Sequence, residues 1–308
     1  MNLPAQVRIY EVGPRDGLQN EALPIPTEAK LEYIRRLVDA GLREIEATSF
    51  VSPRAVPQLA DADELLRGLP AADRIRYPVL VPNERGLARA EAAGATAIAV
   101  FTAASDTFTR RNIGMTIRES LKAFRPVLAR ARENGWWTRA YVSTAFGCPF
   151  TGRVEPDAVV SVACSLVDLG AEEICLGDTI GVGVPTQVQE LTDRLVRAGL
   201  AVERLACHFH DTRGTALANV VAGLEAGVSC FDSSAGGTGG CPYAPGAAGN
   251  LATEDLVYLL DALGVRHGVR LHGILEAARY VASTLRRPLQ TKVGQAGGWD
   301  AETGAAVR

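Results

Sequence analysis

The segment HFHDTRGTALAN, residues 208–219, sets two of the chain's four histidines one residue apart, beside an aspartate, where the apolar run LACHF ends. If that run is a β-strand, alternate residues share a face. His208 and His210 then point the same way and Phe209 the other. Two imidazoles aimed at one point make half of a metal site. Two packed strand-end histidines with no chemistry are the plainer alternative, and the pair alone does not choose between them.

Other donor-type and charged residues stand at the ends of similar runs. VRIYEV leads into Gly13-Pro14-Arg15-Asp16, EIEATSF carries Glu46 and Thr48, and WTRAYVS ends at Ser143. EEICLG leads to Asp178-Thr179, and SCFDSS delivers Ser233. A glycine-rich stretch, SSAGGTGGCPYAPGAAGN, then carries Cys241 and ends at Asn250. Asp16, His208, His210 and Asn250 together offer two oxygen and two nitrogen donors. That set suits one divalent cation, Mg2+ or Mn2+, with open positions for water or substrate, and its lack of a thiolate speaks against a structural zinc. Taken singly, each residue has a blander role. Asp16 is a turn residue and Asn250 a helix N-cap before LATEDL. Arg15 is a surface arginine, Glu46 a salt-bridge partner and Cys241 a packed thiol. Only convergence on one face makes them a site.

Convergence needs a fold that gathers strand ends. β-rich runs begin at Val7, Glu44, Ile75, Ala97, Trp137, Glu172, Leu205 and Ser229. Between them lie amphipathic segments such as TEAKLEYIRRLVDAG and PTQVQELTDRLVRAG, several closed by the glycine that caps a helix. Eight alternations of strand and helix within about 250 residues predict an α/β TIM (β/α)8 barrel, whose reactive residues lie at the C-terminal strand ends. An open doubly wound sheet is the alternative, but VGPRDGLQN is neither a dinucleotide-binding nor a Walker-type loop. One more helical stretch, HGILEAARYVASTLRR, is expected to pack on the barrel. The expectation is therefore one domain, 1–308, with the barrel at about 7–265 and a C-terminal helical extension at about 266–295.

Composition sets the limits. A net charge of −3 gives no electrostatic case for nucleic acid or an anionic membrane, so an anionic ligand needs a local cluster of Arg or Lys. No apolar run approaches the roughly 18 residues of a membrane span, and the N-terminus does not read as a signal peptide. The six cysteines form no CxxC pair, which suits reduced thiols in a cytoplasmic protein.

EVGPRDGLQNE, IEATSFVSPRAVPQLAD, GDTIGVG, HFHDTRGTALANV and GGCPYAPGAAGNLATEDLVYLL resemble the 3-hydroxy-3-methylglutaryl-CoA lyase family, metallolyases built on a TIM barrel. The resemblance runs from about Val7 to about Gln295. It implies Asp16, His208, His210 and Asn250 as metal ligands, Arg15 as the catalytic arginine and Glu46 as the acid close to it. It further implies Asp178 and Glu254 as active-site acids and Cys241 as the cysteine of the family's mobile glycine-rich loop. A homodimer is a family-level expectation. Arg213 stands where members often carry tyrosine, and Gly237-Thr238 replaces a more apolar pair; both bear on the acyl group accepted.

The implied reaction splits a 3-hydroxyacyl-CoA thioester between C2 and C3, giving acetyl-CoA and, with the family's substrate, acetoacetate. Arg15 suits enolate stabilisation because it cannot be deprotonated. Cys241 suits proton delivery, since a thiol of pKa about 8.5 exchanges protons near neutrality. His208 is a ligand and candidate proton shuttle that Asp178 and Glu254 would support. Arg110, Arg111 and Asn112 are candidate phosphate contacts, or simply a solvated basic turn. Three alternatives stay open: a related lyase for another branched substrate such as citramalyl-CoA, a 2-oxo-acid aldolase, and a Claisen-type synthase. The cysteine loop favours the lyase.

Overall fold

Parallel pairing dominates the computed structural model, which describes residues 3–22, 24–70, 74–240, 249–299 and 306–307. In chain order the first half contains β1 (Arg8–Glu11), α1 (Thr27–Asp39), β2 (Glu44–Ile45), β3 (Thr48–Ser49), α2 (Ala62–Gly68), β4 (Val79–Leu80), α3 (Glu84–Ala93), β5 (Ala97–Ala103), α4 (Asp106–Ile113) and α5 (Ile117–Glu133). The second half contains β6 (Trp137–Ser143), α6 (Pro156–Asp168), β7 (Glu173–Asp178), α7 (Pro185–Arg197), β8 (Leu205–Phe209), α8 (Ala216–Glu225), β9 (Cys230–Ser233), α9 (Thr253–Ala262), α10 (Leu271–Thr284) and α11 (Lys292–Ala296). The sheet order is β2-β1-β9-β8-β7-β6-β5-β4-β3.

Its two ends are halves of one segment. Glu46 N donates to Glu11 O at 2.8 Å on the β1 side, and Ala47 N donates to Pro78 O at 3.0 Å on the β4 side. Counting β2 and β3 as one stave, the nine strands make an eight-stave closed ring, the predicted TIM barrel. Closure leaves no sheet edge among these strands.

Period-two alternation divides the strand side chains between two cores. Ile9, Ile45, Val79, Ile98 and Ile174 point outward, into the large cluster that also holds Leu37, Leu128, Val159 and Leu195 from the helices. Tyr10, Leu80, Ala99, Tyr141, Cys175, Ala206 and Cys230 point inward and form a smaller cluster. Buried charges share that interior, among them Arg139, Glu173 and Asp232. Helix ends are set locally: Asn83 caps α3, Ser105 caps α4, and Thr116 with Glu119 forms a capping box on α5.

Beyond the ring, α10 crosses α1 closely, since a Cβ at Gly273 would fall within 2.9 Å of Ala40. The predicted extra helix is therefore present. It is followed by α11, which the sequence reading did not anticipate, because five residues are too few to show helical periodicity. Asp255 ties α11 down by accepting from Lys292 N at 3.2 Å and Val293 N at 2.7 Å. A small antiparallel pair, β10 (Gly298–Trp299) with β11 (Ala306–Val307), follows. No helix among the described residues is long and apolar enough to cross a membrane.

Candidate active site

The chain leaves β1 through a single π-helical turn, Gly13–Gly17, in which the N–H groups of Arg15, Asp16 and Gly17 all point at Val12 O. Such turns are rare and concentrate at functional sites. This one delivers Arg15 and Asp16 to the C-terminal mouth of the barrel, next to the end of β8. There His208 and His210 face the same way, as period-two alternation requires, with ring centroids 5.2 Å apart. One ligand-type atom each from Asp16, His208 and His210 lies within 4.8 Å of the others.

Asn250 joins them through a bridge between the backbones of residues 210 and 250. Its Nδ2 donates to Asp16 Oδ2 at 2.8 Å and to Thr238 O at 3.0 Å. The capping role open to Asn250 is not the one it fills: α9 starts three residues later, with Ala252 at the N-cap position. Asp211 has the cap-like contact instead, accepting from Ala216 N at 3.1 Å at the start of α8.

The donor set meets the requirements of a divalent cation. Among the described residues, Asn250 Oδ1 and His210 Nδ1 are buried atoms with no hydrogen-bond partner, a costly state unless something else coordinates them. Burial opposes the Asp16 carboxylate, but Arg15 and the two histidines outweigh it and hold its pKa at about 2. Burial, assisted by His208, pushes His210 down to about 4, so its ring is neutral. His208 has Nδ1 committed to Asp232 Oδ2 at 3.1 Å, which leaves Nε2 available.

Arg15 is buried beside this group. Its Nη1 donates to Asp16 Oδ1 at 2.7 Å and its Nη2 to Glu46 Oε2 at 3.2 Å. Nε lies 3.1 Å from Glu46 Oε1, near enough to pair electrostatically but out of line for a hydrogen bond. Glu46 is fully buried and also accepts from Tyr141 Oη at 2.6 Å.

These side chains open onto a cavity of about 470 Å³. Its lining includes the polar residues Arg15, Asp16, His208, His210, Ser143 and Thr179 and the apolar residues Val56, Leu80, Phe101, Phe108, Ile113 and Met115. Asn112 also reaches the cavity, whereas Arg111 stacks over Phe150 at 4.2 Å. Gly240 lines it too, held by Asn20 Nδ2 donating to its carbonyl at 2.8 Å. Cys241 lies outside the described residues. Glycine is required just before it: Gly239 has φ +101°, and a Cβ there would come within 2.5 Å of Asn250 Nδ2.

Two expected residues sit elsewhere. Asp178 uses both carboxylate oxygens to accept from Val182 N and Gly183 N, each at 2.9 Å, and burial raises its pKa. Glu254 accepts from Gly236 N at 3.0 Å and from Thr291 Oγ1 at 2.6 Å, and burial lifts it to about 7. Neither lines the cavity. Arg213 binds the carbonyls of Ile180 and Gly181 at 3.0 and 2.9 Å, and Thr238 Oγ1 meets Ser234 Oγ at 2.6 Å.

Sequence reasoning missed several supporting residues. Glu11 accepts from Gly13 N, Ala235 N and Thr253 Oγ1, so one buried carboxylate braces the turn carrying Arg15, the start of the glycine-rich stretch and the head of α9. Tyr141, Arg139 and Asp232 were missed as well. Their signal was present: a charged or phenolic residue inside an apolar strand is buried and must have a partner.

A metal-competent donor set, a buried arginine and a substrate-sized cavity at the C-terminal face of a TIM barrel define a class of barrel metalloenzymes. The chain belongs to the HMGL-like family, whose profile matches residues 6–281. It is 50% identical over 290 residues to the hydroxymethylglutaryl-CoA lyase of Pseudomonas mevalonii, covering 94% of this chain and 96% of that protein. It is also 50% identical over 293 residues to the mitochondrial hydroxymethylglutaryl-CoA lyase of Bos taurus, covering 95% of this chain and 90% of that one. The crystal structure of the hydroxymethylglutaryl-CoA lyase of Pseudomonas aeruginosa superposes with a TM-score of 0.93 at 45% identity, covering 96% and 98% of the two chains.

Proposed function

We propose that this chain is a divalent-metal-dependent carbon–carbon lyase that cleaves 3-hydroxy-3-methylglutaryl-CoA to acetyl-CoA and acetoacetate. The observation that carries the reading is the meeting of Asp16, His208 and His210 beside the buried guanidinium of Arg15 at one cavity, in a chain half identical to hydroxymethylglutaryl-CoA lyases.

Cleavage needs three events. The C3 hydroxyl gives its proton to water in the cavity, the C2–C3 electron pair moves onto the thioester as an enolate, and C2 takes up a proton, so that one proton is released for each one consumed. Asp16, His208, His210 and Asn250 would hold Mg2+ or Mn2+, which supplies Lewis-acid polarisation of substrate oxygens when bound. Because His208 gives Nδ1 to Asp232, the roles of ligand and proton carrier compete for Nε2, and we assign it as a ligand. Arg15 keeps its charge at every working pH and meets the enolate oxygen, with Glu46 and Tyr141 fixing its direction. Cys241 follows directly on the cavity residue Gly240, which supports its role as the proton donor to C2. Asp178 and Glu254 act as anchors for backbone, since their oxygens face N–H groups and a threonine hydroxyl rather than the cavity.

The CoA portion would extend from the mouth past Asn112. The described cysteines are all free, which fits a reducing, cytoplasmic setting. The test is acetyl-CoA release by the purified protein with Mg2+ across a panel of branched 3-hydroxyacyl-CoA thioesters. Highest kcat/KM with 3-hydroxy-3-methylglutaryl-CoA is expected. Preference for citramalyl-CoA would move the assignment to a neighbouring lyase, and absence of any cleavage would refute it.

A further inference from the structure

Beneath the site, inside the ring, lies a set of buried ion pairs, of which the chemistry above uses only the contact between His208 and Asp232. Asp232 on β9 is the register partner of His208 on β8. Its Oδ2 is 3.1 Å from His208 Nδ1, and its Oδ1 accepts from Arg139 Nη2 at 2.5 Å. Arg139 is fully buried, with its guanidinium 3.7 Å from the centroid of the Tyr10 ring and 4.9 Å from that of Tyr141. Its Nε lies 3.2 Å from Glu173 Oε1, and Glu173 pairs onward with Arg8. Both oxygens of Asp232 are thus committed to neighbours that are themselves held.

We infer that Asp232 is a positioning residue for metal binding: it keeps His208 protonated at Nδ1 with the Nε2 lone pair directed into the cavity, and Arg139 fixes Asp232 in that attitude. The inference rests on the reading of His208 as a ligand. A neutral imidazole carries one N–H and one lone pair, and an ionised carboxylate only accepts. The contact at Nδ1 therefore demands the proton there. Partners of this kind set the ring's tautomer and orientation, and losing one costs about 10–100-fold in metal affinity.

Asp232→Asn inverts the pattern. Arg139 offers only donors, so the new amide must turn its oxygen to Arg139 and its NH2 to His208. That donor requires a lone pair at Nδ1, which sends the ring proton to Nε2, the atom the cation needs. The shape of the side chain is unchanged.

The experiment has two parts, both on metal-free protein without substrate. Mn2+ is titrated into wild type and D232N, with free Mn2+ read by electron paramagnetic resonance. The histidine tautomers are read from 15N–1H long-range NMR spectra, with the four histidines assigned by single substitutions. Wild type is expected to show His208 protonated at Nδ1. D232N is expected to show it protonated at Nε2 and to bind Mn2+ about 10–100-fold more weakly, with an unchanged far-UV circular dichroism spectrum. A folded D232N that binds Mn2+ as tightly as wild type overturns the inference and leaves the metal site standing. A wild type that binds no Mn2+ overturns the metal reading, and the inference with it. If D232N does not fold, the wild-type spectrum decides: a proton on Nδ1 sustains the inference and one on Nε2 overturns it.

Discussion

Replacing Arg15 by methionine should produce two losses that a second substitution pulls apart. Glu46 has no solvent exposure, and its partners are Arg15, at 3.2 Å from Nη2 and 3.1 Å from Nε, and Tyr141 Oη at 2.6 Å. Without the guanidinium, a buried carboxylate keeps one neutral donor, and breaking such a pair costs about 3–5 kcal/mol. Against a typical stability of about 5–15 kcal/mol, that shift is easily seen in urea unfolding. The rate should fall independently. Losing one preorganised charge contact to a developing oxyanion costs at least about 3 kcal/mol, or about 10²-fold in kcat. In R15M/E46Q the stranded charge is gone while the amide still accepts from Tyr141. Most of the stability should return, but kcat should stay down. Acetyl-CoA release per folded, metal-loaded site, beside the unfolding midpoint, is the assay. If kcat recovers together with stability in the double variant, Arg15 is a structural partner of Glu46 and the mechanism loses its oxyanion stabiliser.

Chelation by EDTA should abolish activity while leaving the circular dichroism spectrum near native, and Mg2+ or Mn2+ should restore turnover; full activity in metal-free protein would remove the metal from the mechanism. Cys241→Ser should lower kcat by about 10²–10⁴-fold with little change in KM, the range for a lost general acid, and substrate should protect Cys241 from alkylation; alkylated protein that still turns over would contradict this. Burial lifts Glu254 from an ordinary 4.5 to about 7, so the folded state holds an extra proton in that window. Its contribution to stability should be fully present below 4.5 and decline as pH rises through about 7. Glu254→Gln should flatten that decline in urea unfolding on either side of the window, and an unchanged pH profile would show that Glu254 is already ionised.

Much of this architecture was legible because it is written in short-range patterns. The eight β-rich runs reappear as the eight staves, since apolar alternation and glycine caps act locally. The split at Glu46-Ala47 was not legible, because it depends on which neighbour each N–H meets across the ring. At the site, Asp16, His208, His210 and Arg15 stood out by residue type and strand-end position. Asn250 is harder, because in isolation it reads better as a helix cap, and only the fold shows α9 starting three residues later with Ala252 at the N-cap. Asp232 and Arg139 are hidden because each lies inside an apolar strand pattern. Their meaning is a pairing across 93 residues of sequence, which no local window contains. Glu254 was expected as an active-site acid, and only the fold reveals that it faces Gly236 N and Thr291.

Asp16 and Asn250 touch across 234 residues of chain, and the strands that bring them together, β1 and β9, are the first and last staves of the ring. Folding must therefore be almost complete before the proposed cation has a place to bind. A growing chain that has built most of its staves would hold His208, His210 and Asn250 together but lack Asp16, the charged donor, which arrives only with ring closure. The cation would then act as a latch: it rewards the closed ring, by up to about 2.7 kcal/mol when its free concentration is 100 times its Kd, and it rewards an open intermediate that lacks Asp16 far less. Cation occupancy during refolding would thus time the closure of the barrel itself, lagging every helix and strand signal that local structure can produce.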